Sequence, residues 1–240
     1  MKATLISYTP HAVELLLFTK STRLNMAPSL LNEIHEWSPK KKAAELDYMA
    51  RTIPSSWEFV DYVFLLEGVS RAFTHQLVRT RHGSYAQQSL RVVDAGAFDY
   101  VHTARSRADE TTAQTIEYAM GNVQAAYRKL RNCGLPTEDA RGILPTNIAT
   151  NIVAKFNLRT FAELARSRTG GRTQGEYQDV LNAMADAAVA VHPWLPLFLF
   201  PKGRDAFAEI EAFATRTFPD DLAKKGELLK IVDAMRKGES

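Results

Sequence analysis

Cysteine is almost absent from this chain. Cys133 is the only one among 240 residues, which excludes an internal disulfide and any cysteine-built metal site. A long apolar run is missing too: Leu15-Leu16-Leu17-Phe18 is bounded by Glu14 and Lys20, far short of the roughly 20 residues that a membrane-spanning helix needs. Met1-Lys2-Ala3-Thr4-Leu5 does not lead into a signal-peptide hydrophobic region, so a cytoplasmic location without membrane attachment is expected. Neither sign of charge dominates. Thirty Lys and Arg against 27 Asp and Glu leave a net charge of +3, which suits anionic ligands but not a nucleic-acid coat. The common nucleotide and zinc signatures, G-x-x-x-x-G-K-[ST], G-x-G-x-x-G and H-E-x-x-H, do not occur. The six histidines are scattered in sequence, and no metal site is expected from them.

What is present is ordinary globular material. Apolar residues make up 45% of the chain, enough to bury a full core. Lys2–Ser7 reads as a strand, and Pro10 opens a helix expected to reach Leu24. A short helix follows Pro28, and Ser38-Pro39 starts another with serine as cap and proline at its first position. Glu58–Leu66 reads as a buried strand. Ser70 caps a helix expected through Arg81, broken by Gly83, with extended or looped chain over Ser84–Val93. Ala104–Cys133 shows an apolar stripe of Ile116, Met120, Val123, Ala126, Tyr127 and Leu130, ending at Gly134. A short helix is expected over Thr137–Leu144, a strand over Ile148–Phe156, and helices over Thr160–Arg168 and Thr173–Val191. His192–Phe200 reads as packed irregular chain, Asp205–Phe218 as a helix, and the Lys/Glu-rich tail after Asp220 as a solvated one. The expectation is an α+β class, a single helix-rich domain over 1–240 with a central, mostly antiparallel sheet and a peripheral tail.

Arginine is the unusual element. Arg71, Arg79, Arg81 and Arg91 are interleaved with Gln76, Ser84, Tyr85, Gln87, Gln88 and Ser89. Guanidinium groups hold phosphate bidentately, while amides and hydroxyls read base or ribose edges. If Arg79 and Arg81 end a helix, an i, i+2 pair points in two directions and addresses two ligands. The same composition also fits a solvated basic helix end. Arg159, Arg166, Arg168 and Arg172 form a second cluster, and Arg141 stands before a short apolar turn. Cys133, at a helix end beside Gly134, is expected to be a small buried residue and not an activated thiolate.

These residues resemble the flavin-dependent thymidylate synthases. That family's R-H-R, seven residues, then S is met as Arg79-Thr80-Arg81, seven residues, then Ser89. The likeness runs over roughly residues 50 to 180. It takes in Tyr85-Ala86-Gln87-Gln88, Asp139-Ala140-Arg141, Thr150-Asn151-Ile152-Val153, Asn157-Leu158-Arg159, and Arg168 with Gln174 and Glu176. The resemblance implies a homotetramer with active sites shared between subunits and FAD at the interface. Reduced flavin, recharged by NADPH, supplies hydride, and methylenetetrahydrofolate supplies the carbon for C5 of a uridine nucleotide. By the same resemblance, Gln76, Arg79, Gln87, Gln88, Ser89, Arg91 and Arg141 hold the nucleotide. Ser55, Arg79, Thr80, Arg81, Asn157, Arg159 and Glu163 fall where the family contacts FAD. Arg168 falls on the arginine that faces the uracil ring, where a guanidinium stabilises developing negative charge.

The chain also departs from that pattern. Thr80 replaces the middle histidine of R-H-R, and Ile53 and Phe59 stand where the family often has two histidines. Threonine is neither a cation nor a ring-shaped donor. dUMP and UMP therefore both remain open as substrates, and a non-catalytic arginine-rich nucleotide- or RNA-binding module is the rival from another class.

Overall fold

Two segments distant in sequence, Asp61–Ser70 and Ala149–Asn157, pair antiparallel at the middle of a four-stranded sheet. The computed structural model describes residues 1–92, 95–96, 98–167, 175–200, 210, 214, 218 and 221–237. Its strands are β1 (Lys2–Tyr8), β2 (Asp61–Ser70), β3 (Ser84–Gln87) and β4 (Ala149–Asn157), in the spatial order β1-β2-β4-β3, with all pairings antiparallel. Alternation explains why these segments are strands. Tyr62, Phe64 and Leu66 of β2 and Ile152, Ala154 and Phe156 of β4 are all buried on one face, and their sequence neighbours are not. The class is α+β, as expected.

The helices are α1 (Ala12–Lys20), α2 (Pro28–Glu36), α3 (Pro39–Thr52), α4 (Arg71–Leu77), α5 (Ala104–Arg107), α6 (Glu110–Asn132), α7 (Thr137–Ala140), α8 (Leu158–Ser167), α9 (Gly175–Val191), α10 (Pro196–Leu199) and α11 (Leu222–Lys237). Leu16 and Leu17 of α1, Met49 of α3, Phe161 of α8, Met184 of α9 and Phe198 of α10 meet the sheet in one core. A smaller cluster joins Met120 and Tyr127 of α6 to Phe98, Ala140 and Ile148. The chain divides into two compact units, 1–201 and 202–240. In the second, α11 carries Val232 buried and Ile231 and Met235 exposed. No described helix is long and apolar enough to cross a membrane.

Several boundaries differ from the sequence reading, each for a local reason. The first helix starts at Ala12 and stops at Lys20, short of Leu24, after His11 takes a left-handed conformation at φ 50°. Glu58 and Phe59 belong to a 3-10 turn, Pro54–Phe59, because Pro54 sets its start and Trp57 anchors it in the core. The expected 104–133 helix is two: Asp109 caps α6 by accepting from the Thr112 amide at 2.7 Å, which breaks the chain direction after α5. On α6, Met120 and Tyr127 are buried, whereas Ala126 is exposed. At its end Gly134 takes φ 85° and the Leu135 amide reaches the Leu130 carbonyl, a glycine-terminated Schellman turn. Cys133 is exposed, not buried, because it lies on that turn. Pro196 starts one helical turn within the segment read as irregular, burying Phe198 and Leu199. The helix expected over Asp205–Phe218 lies almost wholly outside the described residues.

Candidate active site

The chain around the arginine cluster is shaped by the end of α4. That helix stops at Leu77, four residues before the expected end at Arg81, so Arg79, Thr80 and Arg81 lie in a turn. Tyr85 causes this. Its hydroxyl donates to the carbonyls of Leu77 at 3.0 Å and Thr80 at 2.7 Å, capturing groups that a longer helix would use itself. Burial pushes the Tyr85 phenol up to about 12, against the opposing effect of the Thr80 bond, so it stays a donor throughout the working pH range. Gly83 lets the chain pass over the Tyr85 and Phe156 rings before β3.

The turn opens a cavity of about 370 Å³ lined by Arg79, Thr80, Arg81 and His82 on one side and Thr160, Glu163 and Leu164 of α8 on the other. Asn157 caps α8 by accepting from the Thr160 amide at 2.9 Å. Arg159 is bonded to Glu58 at 2.7 Å and to Glu163 at 3.2 Å, partners that raise its pKa. Ser55 is exposed on the same 3-10 turn as Glu58. The residues expected to contact flavin thus gather around one region. Arg79 and Arg81 are exposed and make no ion pair among the described residues, leaving two guanidiniums open to a bound anion.

The residues expected to hold the nucleotide divide. Arg79 faces that first cavity. Gln87, at the end of β3, donates to the Thr74 hydroxyl on α4 at 3.0 Å, and Gln76 is half-buried on the same helix. Gln88 accepts through its carbonyl from Arg71 at 2.8 Å, and its amide reaches the Asn151 carbonyl at 3.0 Å. With Leu90, Phe98 and Asn151, Gln88 lines a second cavity of about 350 Å³. The Ser89 hydroxyl accepts from the Arg91 amide at 3.2 Å. Arg91 lies 3.5 Å from the Glu138 carboxylate, and Arg141 donates to the Glu138 carbonyl at 3.1 Å. Arg91 and Arg141 therefore meet at α7, and neither lines the Arg79 cavity. Arg168 lies outside the described residues, as does Gln174.

Two features were not apparent from sequence. Glu176, buried at the start of α9, accepts from the Ser70 amide at 2.7 Å and the Ser70 hydroxyl at 2.6 Å, tying α9 to the first residues of α4. The histidines are also less scattered than their numbers suggest: ligand atoms of His11, Glu14 and His35 lie within 4.8 Å of one another. Burial raises the Glu14 carboxyl, but the 2.7 Å bond from Lys42, a backbone hydrogen bond and neighbouring positive charge together hold it below its usual value. Lys42 also donates to the His35 carbonyl at 3.0 Å, so an ammonium already neutralises this group.

Residues 4–194 match the family model described as thymidylate synthase complementing protein. The chain is 35% identical over 200 residues to a flavin-dependent thymidylate synthase of Geobacter sulfurreducens, covering 80% of this chain and 84% of that one. A Clostridium tetani protein of the same name is 30% identical over 211 residues with the same coverage. One from Nitratidesulfovibrio vulgaris is 37% identical over 146 residues, 58% of this chain and 60% of that relative. In fold, the chain matches the Helicobacter pylori flavin-dependent thymidylate synthase solved with FAD and dUMP, with a TM-score of 0.62 at 19% identity over 81% of this chain and 97% of that one.

Proposed function

The chain belongs to the thymidylate synthase complementing protein family, and on that premise we propose that it methylates carbon 5 of uracil in a uridine nucleotide, dUMP or UMP. Methylenetetrahydrofolate gives the one-carbon unit, and FAD reduced by NADPH gives the hydride. The relatives' shared name and the FAD and dUMP of the Helicobacter structure support this reading. The observation that carries it is the cavity that joins Arg79-Thr80-Arg81 to α8.

The residues present fit FAD. Two guanidiniums without ion pairs among the described residues, Arg79 and Arg81, suit a pyrophosphate, with the Thr80 hydroxyl between them and the Glu163 carboxylate as an acceptor on the opposite side. Bound there, the flavin would supply the hydride that turns a transferred methylene into a methyl group. The chain's own work is to bind and to polarise. Arg79 and Arg81 hold phosphate charge, Asn157 and Arg159 fix the start of α8, and Gln76, Gln87, Gln88, Ser89, Arg91 and Arg141 grip the nucleotide. To Arg168, by its position in the family pattern, falls the role of stabilising negative charge on the uracil ring as carbon 5 becomes nucleophilic.

Arg79 lines one cavity while Arg91 and Arg141 both contact Glu138 of α7, and a nucleotide site shared between protomers is compatible with that separation. A homotetramer with shared sites is the assembly proposed with this reading. The test is reconstitution with FAD followed by assay of dUMP and UMP in parallel with NADPH and methylenetetrahydrofolate. Flavin absorbance retained after gel filtration, with methylated product from either nucleotide, is expected. Protein that stays colourless and converts neither nucleotide refutes it and leaves the binding-module reading.

A further inference from the structure

Arg71 opens α4, and its side chain is only partly exposed. One terminal nitrogen donates to the Gln88 carbonyl at 2.8 Å. Its Nε is buried with no acceptor. Burial, with the Arg141 guanidinium beside it, lowers its pKa. Neither Arg71 nor Arg141 has a carboxylate partner among the described residues, and the Glu138 carboxylate is 3.5 Å from Arg91. A partly buried guanidinium, Arg71, beside an exposed one, Arg141, with no carboxylate paired to either among the described residues, is an arrangement stabilised when an anion lies between them. The backbone fixes the approach. The amides of Arg71 and Ala72 reach the carbonyls of Ile148 and Thr146 at 3.1 and 2.8 Å, seating α4 against the chain that follows Arg141.

We propose that Arg71 is a further phosphate-binding residue, forming with Arg141 and Arg91 a three-arginine cradle for the phosphate monoester of the nucleotide. The inference rests on the uridine-nucleotide reading and deepens it. Arg71, Arg91 and Arg141 come from the start of α4, the chain after β3 and the turn after α7. Folding sets Arg141 beside Arg71, and Arg141 and Arg91 both contact Glu138. A dianionic monoester fits this cradle because three guanidiniums offer more charge and more donors than a carboxylate can use.

The competing role for Arg71 is structural support of the Gln88 carbonyl, and the two roles separate by ligand. Arg71→Met and Arg71→Lys, each loaded with FAD, are titrated with dUMP, UMP and deoxyuridine and read by the flavin absorbance change. For Arg71→Met, a loss of about 10- to 100-fold in nucleotide affinity is expected, with deoxyuridine affinity changed by less than about twofold. Arg71→Lys, which keeps the charge without the fork, is expected to lie between, and it serves if the methionine variant does not fold. Equal loss for nucleotide and nucleoside assigns Arg71 a structural role and overturns the proposal. Unchanged nucleotide affinity in a variant whose parent binds dUMP or UMP overturns the proposal alone. A parent that binds neither nucleotide overturns the functional reading and this inference with it.

Discussion

At Gly83 an added β-carbon would stand 2.7 Å from Cε1 of Phe156 and collide with the Tyr85 hydroxyl as well. Phe156 is fully buried and cannot give way, and Tyr85 is the residue that ends α4. Gly83→Ala is therefore expected to cost about 1–3 kcal/mol, seen as a lower Tm in calorimetry, and to weaken FAD binding by loosening the Arg79–Arg81 turn. An unchanged Tm would show that Gly83 is there for some reason other than space. Arg168, assigned to the uracil ring in the proposed function, makes a different kind of prediction. Arg168→Ala is expected to abolish turnover while leaving the oligomer and bound flavin intact, checked by gel filtration and absorbance beside the assay; unchanged turnover removes it from the mechanism. Residue types at the site were legible because arginine, glutamine and serine at family spacing carry their chemistry openly. The burial of Arg71 and its approach to Arg141 were not, since they depend on segments some 70 residues apart meeting at the α4 terminus. The exposure of Cys133 was missed for a related reason: a small residue reads as buried until the turn carrying it is known.

Among the elements, α4 is the one whose length matters most to the site. Residues 71–81 contain no glycine or proline, so helical periodicity ran on to Arg81. The true stop at Leu77 is imposed by Tyr85, a tertiary contact that periodicity cannot report. The break before α6 was legible and passed over, because the Asp109-to-Thr112 cap is a local sequence signal hidden within a long apolar stripe. At its other end α4 is fixed by Glu176, whose carboxylate takes both Ser70 donors, while the Ser70 hydroxyl also accepts from the Phe73 amide at 3.0 Å. Glu176→Ala leaves a buried backbone amide without its acceptor, at a cost of about 1–3 kcal/mol. Hydrogen exchange is expected to show faster exchange in the first turns of α4 and α9, with β1 unaffected. Protection unchanged at Ser70 and Phe73 would mean that the carboxylate does not hold the helix.

For the larger unit as a whole, the alternating strands and the capped helices made the α+β class readable, because burial on one face of a sheet writes itself into the sequence. The core also contains a titratable group. His192 is buried between Tyr8, Tyr62 and Trp194, and its Nδ1 shares a 2.9 Å hydrogen bond with the Tyr62 hydroxyl. Burial lowers the pKa of His192. With the folded value below the unfolded one, the neutral ring's contribution is complete above about pH 6.5 and is lost as pH falls below it. Tm is thus expected to drop between about pH 7.5 and 5.5 by a few degrees more in the parent than in His192→Gln, followed by circular dichroism; parallel curves would exclude His192 as the source. The central claim concerns chemistry at carbon 5 of uracil, and methylation there must break the bond to its hydrogen. Tritium release from 5-tritiated dUMP and UMP, with FAD, NADPH and methylenetetrahydrofolate, tests it most directly. The account predicts release from at least one nucleotide, dependent on both flavin and folate, and no release from either by flavin-loaded protein would contradict it.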